Sequence, residues 1–268
     1  MPRPPLKAYV EPSAINHAVD AGLGGHKLRR MLEQRGAIPA TSLHAVCELA
    51  ATFLLPAGRP RAMALFAALD ELDPLYHPEP HELLLAEYQA LCTGALVIPT
   101  PRGPDGFELR LEVARLARGD LRDPQRAFLA ALDAKLRVEL PKLYDGYLAY
   151  VDRVAPRGSP LARKLQTFED IVALGPADGG QLVREIMHRQ ISREDGSRWW
   201  LRLDEFPTMR TIVRANAFQS TPPIVARVRP ARDRMHDARH VIEAAYCDLF
   251  VTADAGQARA AGIGTMVP

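Results

Sequence analysis

The chain has 268 residues, of which 47% are hydrophobic and 25% charged, and its formal net charge is +2 at pH 7. A chain of this size and composition can bury a full hydrophobic core in one large domain or two smaller ones, which excludes the disordered and fibrous classes. The small net charge excludes a uniformly basic surface for nucleic acid or membranes, so any basic surface must be local.

The cysteine content indicates the cellular compartment. Cys47, Cys92 and Cys247 are odd in number and have no C-x-x-C spacing, which favours a reducing compartment over a disulfide framework or a zinc site. The N-terminal residues contain no long apolar segment, and no later stretch approaches the ~18 apolar residues of a membrane span. We therefore predict a soluble, cytoplasmic protein with no membrane partner.

The N-terminal third alternates between strand and helix patterns. Apolar periodicity, caps and glycine or proline breaks predict strands at residues 6–10 and 37–40 and helices at 14–21, 27–34, 42–55, 61–72 and 80–92. Thr41 or Ser42 is the expected N-cap of the third helix. This alternation predicts an α/β sheet with crossover helices.

Helix signals dominate from about residue 94 to residue 206. Asp123-Pro124 and Ser159-Pro160 each join a capping residue to a proline at the first helical position. We therefore predict three segments: the first part of the α/β core at residues 1–93, an inserted mainly helical subdomain at 94–206, and the C-terminal part of the core at 207–268.

The insertion also contains a hairpin candidate at residues 191–203, with a turn at residues 194–197. Alternation with a period of two places Arg198, Trp200 and Arg202 on one face of this hairpin. That face could stack bases and pair with phosphates, as single-strand binders do, although a solvated hairpin face is the simpler interpretation.

Acidic residues stand at the ends of the apolar segments near both termini. The first strand stops at Glu11, and a strand at residues 249–252 stops just before Asp254. Asp237 and His240 are three residues apart on the predicted C-terminal helix and therefore share a face. Ligands of an open parallel sheet bind beyond the carboxyl ends of its strands, so Glu11 and Asp254 are expected to be neighbours if their strands are close.

A further acid, Glu48, lies on the apolar helix that follows the second strand, among Val46, Leu49, Phe53 and Leu54. A buried carboxylate requires a partner. Several crowded carboxylates are tolerated when a divalent cation offsets their repulsion, and hard cations prefer oxygen ligands. The acids together predict a metal site.

This set of residues resembles the PIN-like domain family of metal-dependent nucleases. The motifs of that family match here at Glu11-Pro12-Ser13, at Glu48, and at Asp237, Ala244-Ala245 and Val251-Thr252-Ala253-Asp254. The resemblance covers roughly the first third and the last quarter of the chain. It implies a three-layer α/β/α fold with a central, mainly parallel sheet, and an endoribonuclease that hydrolyses phosphodiester bonds of single-stranded RNA.

The resemblance also implies a role for each matching residue. Glu11, Glu48, Asp237 and Asp254 would be the catalytic residues and would bind Mg²⁺ or Mn²⁺, with Glu11 and Asp254 as direct ligands. Ser13, Thr252 and His240 would surround these ligands and orient them. Independently of the resemblance, the densest basic run, Arg227, Arg229, Arg232 and Arg234, is a candidate contact for the RNA backbone, and a solvated linker is the alternative.

One departure from the family leaves alternatives open. Glu11 stands where the family usually has aspartate, and Mg²⁺ tolerates misplaced ligands poorly, so either Mn²⁺ is preferred or the site does not cut. A degenerate PIN-like module would bind RNA or a protein without cleavage. A third possibility is that the insertion mediates homo-oligomerisation or pairing with an inhibitory protein partner, as in a toxin-antitoxin pair.

Each acid also has a purely structural interpretation. Glu11 and Asp254 would favour the positive N-terminal ends of the helices that follow them, and Asp237 would be an ordinary helix N-cap.

Overall fold

The structure, a computed structural model, describes residues 5–55, 57–97, 104–134, 138, 142, 168–215 and 232–255. Its contacts group the chain into two compact units. The first unit takes Met1–Glu79, Ile98–Leu140 and Tyr246–Ala258, and the second takes Pro80–Val97, Pro141–Ala245 and Arg259–Pro268. The division at residues 93 and 206 follows changes in sequence pattern rather than contacts, and it stays a prediction.

A four-stranded sheet forms the centre of the first unit. Its strands are β1 (Leu6–Val10), β2 (Ala37–Ser42), β3 (Leu75–His77) and β4 (Leu249–Val251), and all neighbours are parallel in the order β3-β2-β1-β4. Ala8 of β1 lies opposite Pro39 of β2 on one side and Leu249 of β4 on the other. The predicted α/β class with a mainly parallel sheet is confirmed for the described part of the chain.

The labelled helices, in chain order, are α1 (Pro12–Asp20), α2 (Gly25–Glu33), α3 (Leu43–Ala51), α4 (Arg59–Leu72), α5 (Pro80–Thr93), α6 (Pro104–Ala117), α7 (Phe168–Val172), α8 (Pro176–Ile186), α9 (Arg193–Leu201) and α10 (Arg232–Glu243). Residues 123–134 and 207–215 are also helical, and 3₁₀ turns lie at Thr52–Leu54 and Leu203–Glu205. None of the helices within the described ranges is long and apolar enough to cross a membrane.

β1 is buried on both faces of the sheet. Ala8, Tyr9 and Val10 are each 0% exposed, as expected for a parallel strand that is covered on both sides. The Tyr9 ring stacks on Phe250 of β4 with 5.7 Å between ring centroids, and its hydroxyl is 2.8 Å from Ser42 Oγ. Ser42 in turn accepts a hydrogen bond from Ala45 N as the N-cap of α3, as predicted. Tyr9 therefore joins β1 to the neighbouring strands near their carboxyl ends.

The second unit is built from helices in its described part. Trp199 on α9 is fully buried and lies between two aromatic rings, stacking on Tyr88 of α5 and meeting Phe206 edge-on, each with 5.8 Å between centroids. Leu91, Val183, Met209 and Val213, among others, complete this core. Aromatic packing of this kind binds α5, α8, α9 and the helical residues 207–215 into one unit.

The predicted hairpin at residues 191–203 is wrong, because this segment contains helix α9. Ser192 is the N-cap and accepts a hydrogen bond from Asp195 N at 2.9 Å. Gly196, which suggested a turn, allows α9 to approach α8: a Cβ at this position would lie 2.6 Å from Gly180 O. Helix capping and close helix packing thus account for the polar and glycine residues that a turn would also require.

We predict that Gly180→Ala destabilises the protein. In an open helix this substitution would stabilise by about 0.5–1 kcal/mol, but a Cβ at Gly180 would lie 2.7 Å from the backbone of Ser197. We expect a loss of about 1–3 kcal/mol from overpacking, measured by urea unfolding with tryptophan fluorescence. Gly175→Ala, at an N-cap with open space around it, is the control and should change stability by no more than about 1 kcal/mol. A gain in stability for Gly180→Ala would contradict the packing.

Candidate functional site

Three of the four predicted acids follow strands whose carboxyl ends lie at the same edge of the sheet. Glu11 comes directly after β1, Asp254 follows β4, and Glu48 lies on α3, which begins directly after β2. β1 lies between β2 and β4. The strands that end near Glu11 and Asp254 are therefore direct neighbours, which was the condition for these acids to share one ligand site.

The Glu11 carboxylate is held by two hydroxyl groups. Glu11 is only 3% exposed, and its Oε2 accepts hydrogen bonds from Ser13 Oγ and, at 3.0 Å, from Thr252 Oγ1. Ser13 Oγ also accepts from Ala253 N, and Thr252 Oγ1 accepts from Asp254 N, each at 2.9 Å. The two hydroxyls thus connect Glu11 to the backbone that carries Asp254.

Helix capping does not explain the orientation of the Glu11 side chain. Glu11 occupies the N-cap position of α1, but its carboxylate makes no capping hydrogen bond. Its backbone carbonyl accepts from Ala14 N at 3.0 Å, and its own N–H donates to Val251 O at 3.1 Å. The carboxylate is therefore oriented toward the end of β4. Glu11 still stands at the positive N-terminal end of α1, so its structural interpretation stays open.

Asp254 is exposed. Of the residues after Asp254, only Ala255 belongs to the described part of the chain, and it is helical. Any favourable interaction of Asp254 with the N-terminal end of a following helix therefore involves residues outside that part.

Glu48 has a partner on its own helix. Its Oε1 is 3.3 Å from Nε2 of His44, and the side chains of His44 and Glu48 are 4% and 23% exposed. His44 was not among the residues singled out from the sequence. The signal for it is the four-residue spacing, which places both side chains on one helix face.

Asp237 and His240 lie on α10, in the second unit. Because α10 begins at Arg232, Asp237 is inside the helix, and its interpretation as the residue that opens or caps this helix is wrong. His240 is fully buried, and its Nδ1 lies 3.8 Å from Oε2 of Glu243. The other carboxylate oxygen of Glu243, Oε1, accepts a hydrogen bond from Arg239 Nε at 3.1 Å. The assignment of Asp237 and His240 to a metal site stays a prediction.

The predicted basic run is only partly described. Arg227 and Arg229 lie outside the described residues, whereas Arg232 and Arg234 belong to the first turns of α10. Their role as RNA contacts stays a prediction.

The other basic face considered for RNA, that of the hairpin, does not exist. Trp200 lies on α9, is 9% exposed, and donates from Nε1 to the carbonyl of Leu174 at 3.0 Å. The Arg202 guanidinium lies 5.6 Å from the centroid of the Phe206 ring and pairs with Glu205. A buried tryptophan that is hydrogen-bonded within the unit is not a platform for stacking bases.

Cys247 lies two residues before β4, near the C-terminal strand. Burial raises the pKa of its thiol to about 12, because burial disfavours the charged thiolate. Cys47 is buried and Cys92 is exposed, and neither forms a disulfide within the described part of the chain. The donors contributed by the acids at the edge of the sheet are oxygen atoms.

Comparison of the chain with protein-family models, with curated proteins and with solved structures found no match. The likeness to PIN-like domains is therefore a hypothesis that rests on the motif residues.

We predict that the Thr252 hydroxyl stabilises the buried Glu11 carboxylate. Thr252→Val keeps the shape but removes one donor to Glu11 and the acceptor of Asp254 N, so we expect a loss of about 1–3 kcal/mol in the free energy of unfolding. Thr252→Ser keeps the hydroxyl and should lose clearly less. Urea unfolding of the three proteins measures this, and a loss in Thr252→Val that is no larger than the loss in Thr252→Ser would contradict the role of the hydroxyl.

Proposed function

We propose that the protein is a PIN-like endoribonuclease that cuts single-stranded RNA with Mg²⁺ or Mn²⁺. The observation that carries the proposal is that Glu11 and Asp254 follow two adjacent parallel strands, at the edge of the sheet where ligands of such folds bind, while Glu48 lies on the helix that begins after the next strand. The order of these acids along the chain also matches the motif order of the family.

The donor set fits a hard divalent cation. Glu11, Glu48 and Asp254 supply carboxylate oxygens, which Mg²⁺ and Mn²⁺ prefer. Ser13 and Thr252 hold one oxygen of Glu11, and ligands whose orientation is fixed by neighbouring hydrogen bonds bind metals better than free ones. When bound, such an ion would supply activation of a water molecule and stabilisation of charge on the scissile phosphate.

The residues of the chain have distinct parts in this proposal. Glu11 and Asp254 are direct ligands, and Glu48 is a ligand or orients water at the site, with its own carboxylate positioned by His44. Ser13 and Thr252 are positioning residues because they act through Glu11 and the backbone of Asp254. Asp237 would complete the set by the motif match alone.

A second candidate function is a PIN-like module that binds RNA without cutting it. The observation that favours it is the state of Glu11, which is longer than the usual aspartate, 3% exposed, and already engaged by two hydroxyls. A carboxylate fixed in this way serves to join β1 and β4 whether or not it binds a metal.

Asp254→Asn should abolish metal-dependent cleavage while leaving the fold intact. Changes next to metal ligands typically cost 10–100-fold, so loss of a direct ligand should lower the cleavage rate by at least about 100-fold. The measurement is cleavage of a labelled, unstructured RNA in Mn²⁺, in Mg²⁺ and in EDTA. Asp254 is exposed, so the variant should unfold at the same temperature as the parent protein.

Asp248→Asn is the matched control for this experiment. Asp248 is also an exposed aspartate, but it precedes β4 and accepts a hydrogen bond from Lys7 N at 2.7 Å. Cleavage that survives in Asp254→Asn, or that is lost equally in both variants, would contradict the proposed site.

Glu11→Asp separates the two candidate functions. If Glu11 is a metal ligand, shortening it restores the usual family geometry, and we expect Mg²⁺-supported cleavage to rise relative to Mn²⁺-supported cleavage. Rates in the two ions for the parent and the variant measure this ratio. Absence of cleavage in every combination, together with binding of the RNA, would instead establish the binding module.

A further inference from the structure

The second unit contains two arginines whose charges are poorly compensated. Arg210 and Arg214 are four residues apart on the helical segment 207–215, so their side chains share a face. Their side chains are only 14% and 15% exposed. Both face one carboxylate, that of Asp204, with N–O distances of 3.9 Å for Arg210 and 3.8 Å for Arg214.

Asp204 does not satisfy this pair. The two distances are longer than the 2.7–3.2 Å of a normal hydrogen bond, and the Asp204 side chain is 66% exposed, so its ion pairs are weak. Arg210 Nη1 also donates to the carbonyl of Asp204 at 3.4 Å, while Arg210 Nε is buried and has no hydrogen-bond partner in the described part of the chain. Each guanidinium has five N–H donors. The pair therefore has charge and donors in excess of its acceptors.

The two guanidinium groups also act on each other. Burial, and then the charge of Arg210, lower the pKa of Arg214, since both effects disfavour its charged form. An anion placed between the two groups would relieve both costs at once.

The helix that carries the arginines is firmly anchored. The carboxylate of Glu87, which is fully buried on α5, accepts hydrogen bonds from Thr208 N at 2.6 Å and Met209 N at 2.9 Å. These N–H groups belong to the first turn of the segment, where a carboxylate is the best cap. Met209 and Val213 are in the core of the unit. The arginines are thus presented on a rigid support, which lowers the entropic cost of binding a ligand.

We propose that Arg210 and Arg214 form a phosphate-binding site whose ligand is a backbone phosphate of single-stranded RNA. Guanidinium groups bind phosphate oxygens through paired N–H donors, and arginine is the preferred residue for this geometry. The choice of RNA over free phosphate rests on the proposed function, whereas recognition of the phosphate group rests on the arginine pair itself.

The test measures the binding of a fluorescein-labelled, unstructured RNA of about 12 nucleotides by fluorescence anisotropy. The buffer contains EDTA, so the measurement does not depend on cleavage. Arg210→Gln and Arg214→Gln should each weaken binding by about tenfold or more, as expected for loss of a charged hydrogen bond. Arg202→Gln is the matched control: it removes the same charge from the same unit, but Arg202 is 40% exposed and pairs with Glu205 at 2.6 Å. It should weaken binding by less than about twofold.

A salt titration tests whether the lost contact is to a phosphate. For single strands, the slope of log K against log salt is about −0.7 per neutralised phosphate. The double variant Arg210→Gln/Arg214→Gln should therefore have a slope that is shallower by at least about 0.7. An unchanged slope, or a loss of affinity no larger than that of Arg202→Gln, would overturn the proposal.

Thermal unfolding with inorganic phosphate separates the two sources of the phosphate group. Phosphate should raise the Tm of the parent protein more than that of the double variant, because a ligand of the folded state stabilises it. If phosphate does so but RNA binding is unaffected by the variants, the site takes free phosphate and the RNA assignment is overturned. Because anisotropy in EDTA does not require cleavage, a parent protein that binds RNA through this pair without cutting it would overturn the nuclease proposal alone, so failure of the nuclease proposal and failure of the phosphate site are distinguishable.

Discussion

The arrangement of the strand ends in the first unit depends on the hydrogen bonds that hold one buried carboxylate directly after β1. β1 lies between β2 and β4, and both its neighbours end at the same edge of the sheet. Glu11 follows β1 and is 3% exposed, a position where an uncompensated charge would be strongly destabilising. The hydroxyls of Ser13 and Thr252 compensate it, and they also bind the backbone N–H groups of Ala253 and Asp254. One set of hydrogen bonds therefore stabilises the charge and fixes the position of the chain after β4.

Much of the first unit could be predicted because its elements are long or strongly patterned. The strand at Leu6–Val10 has the predicted bounds, and the predicted helices near α1, α2 and α4 begin and end within two residues of the observed ones. β3 was missed because its three residues, Leu75–His77, are too short to show a period. The pairing of β1 with β4 joins residues that are more than two hundred positions apart, and no local pattern specifies it; only the acids at both strand ends pointed to it.

The second unit shows why the local sequence pattern at residues 191–203 predicted a hairpin where the structure has a helix. Ser192, Asp195 and Gly196 are residues typical of turns, but serine also caps helices and glycine also permits close helix packing. The decisive facts are non-local: the approach of α9 to α8 at Gly180 and the burial of Trp199 between Tyr88 and Phe206. The buried cap by Glu87 is likewise invisible in sequence, because it lies more than a hundred residues from the amides it binds. Such long-range polar contacts determine where Arg210 and Arg214 are placed.

The extra methylene of Glu11 has a structural consequence that bears on its chemistry. At an N-cap, a short side chain such as aspartate accepts a hydrogen bond from its own helix. Glutamate is one methylene longer, and in this protein it makes no such bond and instead reaches the hydroxyl of Thr252 beyond β4. A glutamate at this position therefore makes a contact between two strand ends, where a shorter aspartate would be placed to form a local cap. Thr252 also accepts a hydrogen bond from the backbone of Asp254, so the positions of the two acids are linked through this residue. The binding of a metal by one acid would therefore depend on the position of the other.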